Sequence, residues 1–227
     1  MSDLSSPSPA SDATPSFISP VLMATERPTT PPVRLGVLAS GSGSNFEAIA
    51  QAIADGKLHA RIEVMVYNNP GVKAVARAER WGIPAVLVNH REFSQRETCD
   101  RKIVETLREY GVEWVIMAGW MRVVTPTLLD AFSDRMINIH PSLLPSFPGL
   151  RAVEQAIAAG VRVSGCTVHL VRLEVDSGPI LMQAAVPVLP SDTAESLHAR
   201  IQVQEHRIFP QAIALATQQA IAGGWDA

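Results

Sequence analysis

Asn138 and His140 stand two residues apart in M-I-N-I-H-P-S-L-L-P-S-F-P-G, Met136 to Gly149, where an apolar run meets three prolines. Residues i and i+2 of a strand share a face, so an amide and an imidazole emerge together near the strand's C-terminal end. An Asn amide can donate to a developing oxyanion, and a His can donate or exchange a proton near neutral pH. The same pair could instead serve structure, satisfying carbonyls that the prolines leave without backbone donors. A second stretch, A-S-G-S-G-S-N from Ala39 to Asn45, joins an apolar run to a helical pattern. Its small residues let the amides of Gly43, Ser44 and Asn45 approach an anion at a helix N-terminus. There is no G-K-[ST], and Phe46 fills the last glycine position of G-x-G-x-x-G, so neither nucleotide fingerprint applies. A tight turn with Ser44 or Asn45 capping the helix is the plainer alternative. The third stretch, E-V-D-S-G-P from Glu174 to Pro179, is ordinary turn chemistry. Were Asp176 to fold back beside His140, its carboxylate would favour the charged ring.

The remaining polar residues have weaker claims. His169, in C-T-V-H-L-V, fits a core or edge histidine better than a ligand. His59, His90, His198 and His206 form no metal-ligand spacing with carboxylates, so no metal is expected. Trp120 and Met121 have core character, although A-G-W-M-R falls where a pocket belongs.

Apolar runs alternating with helical patterns must position these residues. Strands are expected at 33–39, 62–67, 85–89, 114–118 and 136–140, with helices near 46–54, 72–81 and 94–110. Continuous apolar strands alternating with helices imply an open, mostly parallel sheet covered on both faces. In such sheets ligands bind beyond the C-terminal ends of the strands, where Asn138 and His140 fall. The pattern then changes to a helix at 151–159, an antiparallel hairpin of 166–171 and 179–186, and a long C-terminal helix, 193–220, bent or interrupted near Pro210.

A chain of 227 residues with 47% hydrophobic content fits one globular domain, expected over 33–227. The net charge of -3 and the lack of a Lys/Arg run argue against a nucleic-acid surface. No apolar run reaches the roughly 20 residues that span a bilayer, so no membrane segment is expected. Cys99 and Cys166 suggest two buried thiols rather than a disulfide or zinc framework. Residues 1–32 are rich in Ser, Pro and Thr, lack the layout of a signal peptide, and are expected to be a disordered tail on a cytoplasmic protein.

Taken in order, G-S-G-S-N, A-G-W-M-R, N-I-H-P-S-L-L-P-S-F-P-G, G-C-T-V-H-L-V, D-S-G-P and Q-V-Q-E-H resemble the phosphoribosylglycinamide formyltransferase family. The resemblance runs from about Val33 to Phe209 and implies a Rossmann-like formyltransferase fold. It implies formyl transfer from 10-formyltetrahydrofolate, as co-substrate, to the amine of 5-phosphoribosylglycinamide in purine synthesis, without a metal. It implies Asn138, His140 and Asp176 as catalytic residues, and Gly43, Ser44 and Asn45 at the phosphate. Gln202 and Glu205 would meet the ribose and glycinamide, and Arg96, Met121, Arg122, Val123, Val124 and Asn138 the folate. The implied partners are small molecules, with the chain a monomer or homodimer. Trp120 stands where the family usually has Phe. A formyltetrahydrofolate deformylase shares the three polar residues but carries an ordered N-terminal regulatory domain. A methionyl-tRNA formyltransferase adds a C-terminal barrel and basic contacts. A non-catalytic phosphometabolite-binding module would need the loop at 39–45 but not Asn138 and His140.

Overall fold

The long apolar runs can hide both faces only by lying between two layers of helices, and they do. A computed structural model describes residues 17–20 and 31–222. Strands β1 (Phe17–Ser19), β2 (Val33–Ala39), β3 (Ala60–Tyr67), β4 (Ala85–Leu87), β5 (Trp114–Met117), β6 (Met136–His140), β7 (Val163–Leu170) and β8 (Ile180–Pro187) form one sheet, in the order β1-β8-β7-β6-β5-β2-β3-β4. The helices are α1 (Ser44–Ala54), α2 (Lys73–Arg80), α3 (Arg96–Glu109), α4 (Pro126–Ala131), α5 (Ala152–Ala158) and α6 (Ala194–Ala222). One face of the sheet packs Phe46 and Ile49 of α1, Ala74 and Ala78 of α2, and Ile201 and Phe209 of α6. The other packs Cys99, Ile103 and Leu107 of α3 and Leu128 of α4.

Strands β2 to β6 run parallel, and the order reverses between β2 and β5. Loops that leave those two strands diverge to opposite faces and leave a crevice at their C-terminal ends. From β6 onward the pairing is antiparallel: Asn138 lies opposite His169, and His140 opposite Thr167. β7 and β8 form the expected hairpin. At its tip Gly178 lies so close to the Leu170 carbonyl that a Cβ would fall 1.8 Å from that oxygen, so a glycine is required there. The helix α6 continues through Pro210 rather than breaking. Proline removes one backbone donor, but burial of Ile208, Phe209, Ala212 and Ile213 against the sheet outweighs that loss.

The tail departs from expectation at one place. Phe17–Ser19 adds antiparallel to the outer edge of β8, with Ile18 opposite Ala184. The reason is the edge itself: β8 offers unpaired backbone groups, and a short β-prone segment can satisfy them. Residues 1–16 and 21–30 lie outside the described residues. Because the added strand is three residues long, deleting residues 1–32 is expected to leave activity unchanged. Its Tm should fall by no more than about 2–4 °C, the shift that ~1 kcal/mol produces in a domain of this size. Calorimetry of the truncated protein, with a parallel assay, checks both.

Candidate active site

The crevice is a cavity of about 900 Å³ lined by the loop Ser40–Asn45, the segment Met117–Val124, Asn138 to Pro141, Gly149 to Glu154, the hairpin tip with Asp176, and Gln202 and Glu205 of α6. Each lining segment leaves or faces the C-terminal end of a central strand. Two hydrogen bonds lace the first two together: Ser40 N–H donates to the Gly119 carbonyl at 3.1 Å, and Met121 N–H to Ser40 Oγ at 2.9 Å.

At the centre, Asp176 does fold back on His140. Its Oδ2 lies 3.3 Å from His140 Nδ1 and accepts the Gly149 N–H at 2.8 Å. On the other side of the ring, Nε2 donates to the Phe147 carbonyl at 2.9 Å. Both ring nitrogens therefore face acceptors, an arrangement that suits an imidazolium with two N–H donors. Asp176 and Phe147 hold left-handed backbone conformations, with φ of 54° and 56°. An aspartate tolerates that region readily and a phenylalanine does not, so the turn at Phe147 is held by its surroundings. Burial pushes the Asp176 carboxyl up, but His169 beside it, the Gly149 N–H and the nearby His140 outweigh burial and hold it below its usual range.

The amide of Asn138 is oriented by a residue that strand patterning assigned to the core. His169 Nδ1 donates to the Leu170 carbonyl at 2.9 Å, which turns Nε2 toward Asp176 Oδ1 at 3.6 Å and Asn138 Nδ2 at 3.1 Å. Asn138 Nδ2 donates to Asp176 Oδ1 at 3.5 Å. The side-chain oxygen of Asn138 is thereby turned away from His169.

The phosphate-loop end is built on α1 and α6. Gly43 caps α1 in the left-handed region at φ 74°, and a Cβ there would meet Ala74 Cβ at 2.7 Å. The first-turn amides that follow are the donors expected at a helix N-terminus. Gln202 Nε2 donates to Ser44 Oγ at 3.1 Å, and Asn45 Nδ2 to Glu205 Oε2 at 2.9 Å. Asn45 Oδ1 is buried without a hydrogen-bond partner. Glu205 is 4% exposed, and burial pushes its carboxyl up against the opposing pull of the Asn45 amide and of His198 and His140.

Residues 33–213 match the family model described as formyl transferase. The chain belongs to the formyl transferase family. It is 43% identical over 184 residues to the trifunctional purine biosynthetic protein adenosine-3 of Drosophila melanogaster, covering 80% of this chain but 14% of that protein. It thus spans between about a seventh and a fifth of the length of the trifunctional relatives that it matches. To phosphoribosylglycinamide formyltransferase of Bacillus subtilis it is 41% identical over 180 residues, covering 79% of this chain and 92% of that one. The crystal structure of glycinamide ribonucleotide transformylase 1 from Symbiobacterium toebii superposes with a TM-score of 0.82 at 46% identity, over 83% of this chain and 89% of that one.

Against the formyl transferase pattern, Gly43, Ser44, Asn45, Met121, Arg122, Val123, Val124, Asn138, His140, Asp176, Gln202 and Glu205 all line the one cavity. Arg96 does not: it opens α3, exposed to solvent, and is absent from the cavity wall. One site residue, His169, was read as a core or edge histidine, and another went unremarked. The buried Asp100 of α3 accepts the Thr125 N–H at 2.7 Å, anchoring the segment that follows Met121–Val124. Asp100 sits on the buried face of α3 between Cys99 and Ile103, and nothing in its spacing signals that contact. Among the described residues no cluster of three or more His, Cys, Asp or Glu could hold a metal ion, and no helix is long and apolar enough to cross a membrane.

Glu205 yields a prediction with a definite sign. Its folded carboxyl lies above the usual 4.5, so the folded state holds that proton more tightly than the unfolded chain. Stability therefore falls as pH rises from the usual carboxyl range through the raised value, then levels off. Glu205→Gln keeps an acceptor for Asn45 and should remove this decline, matching or exceeding the parent's urea midpoint at pH 7.

Proposed function

We propose that this chain transfers the formyl group of 10-formyltetrahydrofolate to the amine of 5-phosphoribosylglycinamide, a step of purine synthesis. The observation that carries the reading is Asp176 at 3.3 Å from His140, in one cavity with Asn138 and the loop Ser40–Asn45. The amides of Gly43, Ser44 and Asn45 would receive the phosphate, Gln202 and Glu205 the ribose and glycinamide. The folate would lie along Met121–Val124, whose exposed Met121 and Val123, with Leu150 and Leu173 of the same cavity wall, give its rings an apolar border.

The amine attacks the formyl carbon, and negative charge develops on the formyl oxygen. Asn138 Nδ2 offers one donor to that oxygen. His140 offers the other through Nε2–H when the oxyanion takes the place of the Phe147 carbonyl. An oxyanion is the stronger acceptor, so the exchange favours the transition state over the resting enzyme. Asp176 holds the Nδ1 side of the ring and assists passage of the proton from the attacking nitrogen to the departing folate nitrogen. The C–N bond to glycinamide forms as the C–N bond to folate breaks, and no covalent enzyme intermediate is needed.

The reaction is tested by supplying 10-formyltetrahydrofolate to the purified chain with and without 5-phosphoribosylglycinamide. Tetrahydrofolate should appear only when the amine is present. Release in its absence would instead mean transfer to water, and release in neither case a binding module.

A further inference from the structure

The loop that would receive the phosphate does not hold its own shape; α2 holds it from behind. Ala74 N–H donates to the Gly41 carbonyl at 3.2 Å, and Arg77 Nε donates to the Ser42 carbonyl at 2.9 Å. A trans peptide is planar, with its C=O and N–H pointing in opposite directions. Drawing the Ser42 carbonyl toward α2 therefore turns the Gly43 N–H the other way, into the cavity. The left-handed turn at Gly43 then passes the chain directly into α1.

A carboxylate stands nearby as a hazard. Glu47 lies in the first turn of α1, where its charge opposes an incoming anion. Arg77 forms an ion pair with Glu47, and Arg80 Nη2 contacts its two oxygens at 2.7 and 3.0 Å. The Arg77 stem packs within 3.4 Å of the position a Gly43 Cβ would take. Arg77 is outside the cavity wall, so it reaches an anion only through the loop.

We infer that Arg77 is a positioning residue for the anion loop: its bond to the Ser42 carbonyl aims the Gly43 N–H at the substrate phosphate, while its pairing with Glu47 removes a competing charge. The inference rests on the proposed phosphorylated substrate. Arg80 shares the pairing with Glu47 but does not touch Ser42, which separates orientation from charge.

The test compares Arg77→Met, Arg77→Lys and Arg80→Met with the parent, using 5-phosphoribosylglycinamide and the same compound without its phosphate. Arg77→Met should raise KM for the phosphorylated substrate about tenfold, the loss of one well-oriented donor, with kcat and the folate KM within about threefold. With the unphosphorylated compound the variant and parent should coincide. Arg77→Lys, which can still donate to Ser42, should recover part of the loss, and Arg80→Met should show little. Equal penalties on both substrates, or an Arg80→Met effect as large as that of Arg77→Met, would overturn the inference. A parent enzyme indifferent to the phosphate would overturn the substrate reading and the inference with it.

Discussion

Replacing His140 with alanine is expected to lower kcat by about two to three orders of magnitude, the cost of removing one preorganised donor from a developing oxyanion. Affinity for the ribonucleotide should hardly change, because its proposed contacts lie on the loop Ser40–Asn45 and on α6, not on β6. The same substitution leaves the Phe147 carbonyl without its ring donor and Asp176 with the Gly149 N–H as its short hydrogen bond. His140 is 5% exposed, so part of the penalty must appear as stability, about 1–3 kcal/mol for a buried acceptor left unsatisfied. Denaturation and single-turnover rates measured on the same preparation separate the two costs. Titration calorimetry supplies the third quantity. A variant that folds, turns over normally and loses ribonucleotide binding would show that the imidazole braces the loop and takes no part in transfer.

The contrast between His140 and His169 shows which parts of the site a sequence exposes. Asn138 and His140 were visible because they interrupt an apolar strand at its period and precede a proline-rich turn. His169 interrupts an apolar strand in the same way, yet reads as core when its strand is considered alone. Its meaning depends on a partner: in the antiparallel register His169 falls opposite Asn138 and Thr167 opposite His140. The T-V-H of β7 mirrors the N-I-H of β6, and that repetition was a usable signal once antiparallel pairing was assumed. Asp176 could be placed near His140 only by resemblance, because its approach depends on how the hairpin tip curls back to Gly149. The parallel strands were legible as apolar runs between helical patterns, even where β4 and β5 are only three and four residues long. The six-residue α4 and three-residue β1 were not, since neither is long enough to display a period, and each exists because a neighbouring surface offers it burial or an open edge.

Asp176→Asn is the sharper test of the proposed chemistry, and its expected loss in kcat is roughly a hundred- to ten-thousand-fold. The amide has the carboxylate's shape and can still accept the Gly149 N–H through its oxygen. That oxygen also faces His140 Nδ1, so the NH2 falls at the Oδ1 position, toward His169 Nε2 and Asn138 Nδ2. The His140 ring keeps a neutral acceptor at Nδ1 but loses the carboxylate that would stabilise its charge and help carry the proton between nitrogens. Substrate affinities should survive, since no proposed binding contact is removed. Stability adds an independent sign. The Asp176 carboxyl is held below its usual 3.8 in the folded state, so its contribution is fully present above that range and is lost as pH falls through the lowered value. The variant should be less stable than the parent at pH 7, and the difference should shrink as both are taken toward pH 3. If instead it unfolds at neutral pH but turns over at the parent's rate per folded molecule, the carboxylate serves only to fasten the hairpin tip to Gly149. A parent-like urea midpoint with a collapsed kcat places its main contribution in the chemistry, because a brace cannot be lost without cost to the fold.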